Sequence, residues 1–254
     1  MKFVFDLDGT ICFKGRPVSN KILDSLLALT EQGHQVIFAS ARPIRDMLPV
    51  LRKDFHHYTL IGGNGSLTAN KGKVISSTAF SLEVVEQLIN LINEYEATYL
   101  IDGDWDYAYT GPENHPILRN LDPGKMASLV KLESLSSIVK ILILTSKNKE
   151  LLAERLAMLD IHLNKHAGED MLDISPKGIH KWTALKKLGI KKGSFVAFGN
   201  DANDRTMFEH ALHSIMIGNH IALQNLANES IAVTDNIDDE LVAKIKELAE
   251  KFVS

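Results

Sequence analysis

Three short apolar runs, each ending in a polar or glycine-rich turn, constrain the fold of this chain more than any other feature. Phe3-Val4-Phe5 runs into Asp6-Leu7-Asp8-Gly9-Thr10, His34 to Ala39 runs into Ser40-Ala41-Arg42-Pro43, and Thr59-Leu60-Ile61 runs into Gly62-Gly63-Asn64-Gly65. Aromatic and β-branched residues in runs of this length suit buried strands. Between the first two runs, Ile22, Leu23, Leu26, Leu27 and Leu29 recur at helical spacing over residues 19–32, with Ser19 as N-cap and Gly33 as stop. A β-α-β-α-β beginning predicts a parallel sheet, and such sheets bind ligands outside the carboxyl ends of their strands.

From about residue 80 to 175 the rhythm changes. A helix is expected at Leu82–Glu94, a strand at Ala97–Ile101, a long strand-like run at Ser137–Leu144, a helix at Asn148–Leu159, and strands at Ile161–His166 and Met171–Ile174. Alternation returns with a helix at Lys181–Leu188, a strand at Phe195–Phe198 and a polar turn at 199–204. A helix at Arg205–Ala211, a strand at Ser214–Ile217, a helix from His220, a strand at Ile231–Val233 and a last helix at Asp238–Phe252 follow. The expected fold class is α/β: a Rossmann-like, doubly wound parallel sheet core from residues 1–80 and 176–254, with an inserted α+β cap at 81–175.

The 254 residues provide ample material for a buried core. Cys12 is the only cysteine, so no intramolecular disulfide forms, and its place just after the first turn points to packing. A net charge of −4 with scattered Lys and Arg argues against a nucleic-acid surface. No window approaches a membrane span, and the start of the chain lacks a signal-peptide pattern. The expectation is a soluble cytoplasmic protein whose partner is a small molecule, with no obligate protein partner evident.

The strand ends together supply what phosphoryl transfer needs, namely charge neutralisation and an attack held in line. Asp6 or Asp8 can act as a nucleophile through an aspartyl-phosphate. A carboxylate approaches phosphate only with a cation between them. Oxygen ligands from Asp6, the backbone near Asp8 and the 199–204 turn suit Mg²⁺. Gly9 and Thr10 turn the backbone at this point, where a phosphate group is expected to lie. Ser40 can hydrogen-bond phosphate or close a local turn, and Arg42 can grip phosphate or form an ion pair.

Four elements in order, Asp-x-Asp-Gly-Thr at Asp6–Thr10, Ser40-Ala41-Arg42, a lysine at a helix start and the Asn203-Asp204 pair, resemble the haloacid dehalogenase superfamily, specifically its Cof-like phosphatase branch with an α/β cap. The resemblance implies Asp6 as nucleophile, Asp8 as general acid and base that also binds metal through its carbonyl, and Ser40 on the phosphate. Position after the Pro176-x-Gly178 turn implies Lys181 rather than Lys177 as the charge-balancing lysine. The resemblance also aligns Asn203 with a phosphate contact and Asp204 with a metal-side carboxylate. This chain departs from the pattern at Ala41, at Trp182 and at Asn200, where the family usually has a metal-binding Asp. The implied metal set is therefore Asp6, Asp8, Asn200 and Asp204, with Asp201 as either a turn cap or a ligand.

Other features weigh less. Gly62–Gly65 is read as a turn rather than an anion cradle, Trp182 as core packing, and the Asp102, Asp104, Asp106 series as a solvated hairpin, since a calcium loop would need a Glu at its twelfth position. Tyr107, Tyr109 and His115 are raised as residues facing substrate. The expected function is Mg²⁺-dependent hydrolysis of a small phosphomonoester, sugar phosphates among the candidates. The alternatives are a phosphomutase or phosphotransferase, a phospho-accepting module, or a non-catalytic binding protein.

Overall fold

The computed structural model describes residues 1–165 and 171–252. Two sheets organise them. The larger has eight strands in the order β13-β12-β11-β1-β2-β3-β4-β5, and the smaller has five in the order β7-β6-β8-β10-β9. In the larger sheet, β1 (Lys2–Phe5), β2 (Gln35–Ala39), β3 (Thr59–Gly62), β11 (Phe195–Gly199), β12 (His213–Ile217) and β13 (Glu229–Ile231) run parallel. The chain winds outward from β1 through β2 and β3, then returns on the other side of β1 to begin β11. The switch in winding direction between β1 and β11 opens a crevice at their carboxyl ends.

Residues along β1 alternate between the two faces. Phe3 and Phe5 pack with α1 (Asn20–Glu31) and α7 (Ile237–Lys251), while Val4 packs with α5 (Lys181–Lys187) and α6 (Arg205–Phe208). Helix α1 forms as its sequence suggests. The Ser19 hydroxyl accepts the Ile22 amide at 3.3 Å, and Ile22, Leu23, Leu26 and Leu29 face the core. The helix ends at Gly33, whose amide donates to the Thr30 carbonyl and whose φ of +82° suits glycine.

The smaller sheet is wholly antiparallel: β6 (Thr98–Asp102), β7 (Tyr107–Tyr109), β8 (Lys140–Thr145), β9 (Ile161–Lys165) and β10 (Leu172–Pro176). One face is covered by α3 (Leu82–Glu94) and α4 (Lys149–Leu156) through Leu88, Ile92, Leu152 and Leu156. The other face carries Leu100, Leu142 and Leu144.

Several expectations need correction. Residues 67–77, unassigned from sequence, form the hairpin β4 (Leu67–Asn70) and β5 (Lys73–Ser77), which extends the main sheet antiparallel. Lys71 and Gly72 both have positive φ, the signature of a tight hairpin turn. The expected helix from His220 is a series of turns in which Leu223 is buried and Ile221 exposed. The last strand ends at Ile231, leaving Val233 exposed, and β8 begins at Lys140 rather than Ser137. His166, the expected end of β9, lies outside the described residues. The remaining short helix, α2 (Ile44–Met47), follows the Ser40-Ala41-Arg42 turn. Cys12 is buried, its thiol donating to the Arg16 carbonyl, and burial pushes the thiol up to about 12, consistent with packing. Among the described residues no helix is long and apolar enough to cross a membrane.

Candidate active site

Asp6 leaves the end of β1 directly beside β11, its amide donating to the Phe198 carbonyl. Its side chain is buried. Oδ1 accepts the Lys181 ammonium at 2.6 Å and Oδ2 accepts the Thr10 hydroxyl at 2.8 Å. The same ammonium donates to Asp204 Oδ1 at 2.6 Å, so one buried cation serves two buried carboxylates. The triad carries a net charge of −1. Burial pushes the Asp6 carboxyl up to about 7 against the pull of Lys181, with Asp204 adding to the rise. Burial opposes the charge on Lys181, but Asp204 and Asp6 outweigh it and hold the ammonium above its usual range.

Lys181 is placed by how α5 begins. His180 is its N-cap: the ring Nδ1 accepts the Thr183 amide at 3.2 Å and Thr183 Oγ1 accepts the His180 amide at 2.9 Å. The helix start rests on the glycine-rich turn, where a Cβ on Gly65 would lie 2.6 Å from the His180 carbonyl oxygen. Gly62–Gly65 is thus a turn that seats the lysine helix. Trp182 points the other way, stacked on His210 at 4.4 Å and on Phe195 at 5.8 Å, as core packing.

Asp8 is half exposed, its side chain 48% accessible, and is held by Arg42 through two hydrogen bonds of 2.6 Å each, from Nε and Nη2. Of the two roles open to Arg42, the ion pair is the one seen here. The Ser40 hydroxyl accepts the Arg42 amide at 3.1 Å, which leaves its own proton available for an anion. The amides of Gly9 and Thr10 are used within the turn, donating to the carbonyls of Cys12 and Leu7. Thr10 therefore supports Asp6 through its hydroxyl. Gly9 supplies empty space: a Cβ there would lie 2.2 Å from Asn200 Nδ2, and its φ of +77° is unfavourable for other residues. Gly9→Ala is expected to displace Asn200 and cut turnover at least ten-fold with the fold retained; steady-state kinetics alongside circular dichroism checks this.

The 199–204 turn is organised around Asp204. Its Oδ2 accepts the amides of Asn200 at 2.8 Å and Asp201 at 3.1 Å, while Oδ1 holds Lys181. Asn200 Oδ1 lies 3.1 Å from the Thr10 hydroxyl, beside Asp6. Asp201 caps the turn through the Ala202 amide at 2.6 Å and pairs with His220 at 3.1 Å. Asn203 donates to Asn64 Oδ1 at 3.2 Å.

A cavity of about 380 Å³ lies between these strand ends and the uncovered face of the smaller sheet. Asp6, Asp8, Gly9, Ser40, Arg42, Asn200, Asp201 and Asn203 border it from the core, whereas Thr10, Lys181 and Asp204 stand behind them. From the cap side it is bordered by Leu100, Asp102, Lys140, Leu142, Met171 and Asp173. A polar chain joins the two sides: Asn64 donates to Asp173 at 2.9 Å, and Lys140 reaches both Asp173 at 3.1 Å and the Ala41 carbonyl at 2.8 Å.

A second junction centres on Arg45, whose side chain is wholly buried. It donates to Asp102 at 2.5 Å, to the Trp105 carbonyl at 2.6 Å and to Asp46 at 3.2 Å, and it lies over the Tyr107 ring. Asp102 is therefore a buried ion-pair partner, which corrects its reading as part of a solvated hairpin. Tyr107, Tyr109 and His115 do not border the cavity; Tyr109 donates to the Pro112 carbonyl and His115 accepts the Ile117 amide. The sequence reading missed Lys140 and Asp173, whereas the Gly62–Gly65 turn that carries Asn64 was placed beside the site by the resemblance. The available signal was a single charged residue within each apolar strand run, at Lys140-Ile141-Leu142 and Leu172-Asp173-Ile174.

A family model described as haloacid dehalogenase-like hydrolase matches residues 3–245. Among curated relatives, the 5-amino-6-(5-phospho-D-ribitylamino)uracil phosphatase YitU of Bacillus subtilis is 24% identical over 260 residues, spanning 95% of each chain. An HMP-PP phosphatase of Yersinia enterocolitica is 27% identical over 245 residues, spanning 89% of this chain and 85% of its own. Among solved structures, SMU.1108c of Streptococcus mutans aligns with a TM-score of 0.79 at 21% identity, covering 98% of this chain and 100% of that one. The subclass IIB sugar phosphatase BT4131 aligns at 0.78 and 17% identity, covering 97% and 98%. Structural likeness at these identities speaks for the fold alone.

Proposed function

The chain belongs to the haloacid dehalogenase-like hydrolases as a phosphoric monoester hydrolase of the Cof-like branch, and from that premise we propose that it hydrolyses a small phosphorylated metabolite through a phosphorylated Asp6. One observation carries the reading: Asp6 alone of the buried triad borders the cavity, with Lys181 and Asp204 fixing it from behind. Asp6 attacks phosphorus with its free lone pairs, the leaving oxygen departs, and an acyl phosphate forms on the carboxylate. Asp8 donates the proton to that oxygen and then takes one from the water that cleaves the acyl phosphate. Ser40 and Asn203 hold phosphate oxygens. Arg42 divides its guanidinium between Asp8 and the incoming phosphate, and the cap over the cavity keeps bulk water out. Residues 1–80 with 176–254 act as the catalytic unit and 81–175 as the unit that encloses the substrate.

The donors at the strand ends fit Mg²⁺. Asp6, the Asp8 carbonyl and Asn200 Oδ1 are hard oxygens, and the triad beside them is one positive charge short. Among the described residues no three His, Cys, Asp or Glu side chains converge, so this set leans on an amide and a carbonyl. Asp204 contributes by orienting the Asn200 turn, since its oxygens already hold Lys181 and two amides. When bound, Mg²⁺ supplies the charge that lets phosphate approach a carboxylate.

Two results are expected of this site. Asn200→Asp adds a negative charge at a donor position and should lower the Mg²⁺ Kd roughly ten-fold by calorimetry; an unchanged Kd removes Asn200 from the donor set. Because Asp6 is pushed up to about 7, metal competes with a proton there, so Mg²⁺ should raise Tm more at about pH 8 than at about pH 6. Hydrolysis itself is tested by product analysis. Free phosphate should appear without phosphoryl transfer to an added sugar, and an acid-quenched single turnover should leave phosphate on the protein. Transfer to the sugar would indicate the phosphomutase alternative.

A further inference from the structure

Lys181 opens α5, and its ammonium is held at one end by Asp6 and Asp204 and at the other by the way the helix starts. That start is closed by the side chains of His180 and Thr183. The Thr183 hydroxyl accepts the His180 amide at 2.9 Å and donates to the His180 carbonyl at 2.6 Å, while Nδ1 of the His180 ring accepts the Thr183 amide at 3.2 Å. Neither His180 nor Lys181 borders the cavity.

The chemistry of this cap differs from that of the common ones. Serine, threonine, asparagine and aspartate are the preferred N-caps, and at their usual pKa values none of them changes charge between about pH 5 and pH 8. Histidine does. A ring nitrogen that accepts an amide must carry a lone pair, so Nδ1 is bare and the ring is the neutral Nε2–H tautomer. Protonation puts a hydrogen on Nδ1 facing the Thr183 amide, and it adds positive charge at the helix end where the peptide dipoles are already positive. The ring therefore caps α5 when neutral and opposes it when charged.

The surroundings favour the neutral ring. It is half-buried; His162 of β9 lies 6.5 Å away between ring centroids, and His210 faces it from just beyond α6. Glu209 acts the other way. Burial first, then His162 and His210, outweigh Glu209 and hold the His180 ring below the ordinary imidazole range. Since the ring takes its proton at lower pH in the fold than in the open chain, its capping contribution is complete above the ordinary value of 6.5 and is lost as pH falls through the lowered one.

We propose, resting on the phosphatase reading, that His180 is a positioning residue for Lys181 that works while its ring is neutral. Protonation releases the cap, frays the first turn of α5 and draws the ammonium out of line with Asp6, so turnover falls on acidification.

The test compares the wild-type protein with His180→Asn and His180→Ala from about pH 5 to about pH 8, with saturating Mg²⁺ and p-nitrophenyl phosphate as the probe. Asparagine places Oδ1 near the position of Nδ1 and does not titrate, whereas alanine cannot cap. At about pH 8, His180→Ala should lose roughly ten-fold in kcat with KM little changed, and His180→Asn should recover most of that loss. On acidification to about pH 5, the ratio of wild-type to His180→Asn kcat should fall about three-fold or more. Asp6, His162 and His210 are common to both proteins and cancel in that ratio. Nitrogen-15 NMR of the wild-type imidazoles reads the ring without any variant: His180 Nδ1 should be bare at about pH 8 and should gain its proton over the range in which the ratio falls. Should the variants unfold, these spectra decide, together with loss of hydrogen-exchange protection at the Thr183 amide as the ring is protonated. A proton on Nδ1 at about pH 8, a ratio independent of pH, or a His180→Asn variant no more active than His180→Ala overturns the proposal. Absence of phosphate release from the wild-type protein at every pH overturns the phosphatase reading itself, and this inference with it.

Discussion

Asp6→Asn abolishes phosphate release, lowering kcat by roughly 10⁴-fold or more, and leaves the protein folded. The amide is nearly isosteric with the carboxylate, and its oxygen can still accept Thr10 or Lys181, but it has no charge with which to attack phosphorus. The fold survives because the substitution relieves rather than creates an imbalance: Lys181 keeps Asp204 at 2.6 Å, and the buried triad changes from one net negative charge to none. Tm in the absence of metal should therefore hold or rise. Phosphate release assays and acid-quench trapping of phospho-protein read the first effect, and thermal denaturation reads the second. A variant that keeps near-normal turnover would show that Asp6 is not the nucleophile.

Lys181→Met has the opposite profile, losing activity and stability together. Its ammonium is completely buried between Asp6 and Asp204, so its removal leaves two carboxylates facing each other out of water. Breaking a buried pair from one side costs roughly 3–5 kcal/mol, on the order of 10 °C in Tm for a chain of this size. The loss depends on pH in a fixed direction. Asp6 already stands near 7 in the fold against 3.8 for an isolated carboxyl, and without Lys181 it stands higher. The folded variant is spared when Asp6 is protonated, so its deficit is small at about pH 5 and grows as pH rises toward 8. Equal deficits at the two pH values would show that Lys181 acts there as packing and not as charge.

The parallel core and much of the site were legible because the relevant residues sit at the ends of strands that announce themselves. Asp6, Asp8, Ser40 and Asn200 follow apolar runs directly, and a one-residue error at a strand end still leaves them at the sheet edge. Lys181 was legible from its place after a Pro-x-Gly turn. The cap contributions were not. Asp102, Lys140 and Asp173 face the cavity only because of register in an antiparallel sheet between strand partners far apart in sequence, Asp102 with Lys140 38 residues on and Leu142 with Asp173 31 residues on. Asn64 was legible only as part of a turn that the resemblance places beside the site, not in its bonding. It takes a φ of +58° inside a glycine-rich turn, which aims its amide at Asp173 and Asn203, and nothing in the sequence distinguishes that conformation from an ordinary loop. The role of Asp204 was legible in part: its position in the turn was expected, but its engagement by two backbone amides is a property of the folded loop.

Arg45 has a consequence for how the two sheets are held together. It joins core to cap through Asp102, the Trp105 carbonyl and Tyr107, a contact made of charge and backbone rather than of greasy surface. An apolar seam would hold the two halves shut, since parting it exposes hydrocarbon to water with nothing in return. Parting Arg45 from Asp102 lets both ions recover their hydration, which repays much of what the broken contacts cost. At Arg45, then, the two sheets are joined by a contact that water can compete for, unlike the apolar packing of Val139 and Trp105 against the main core.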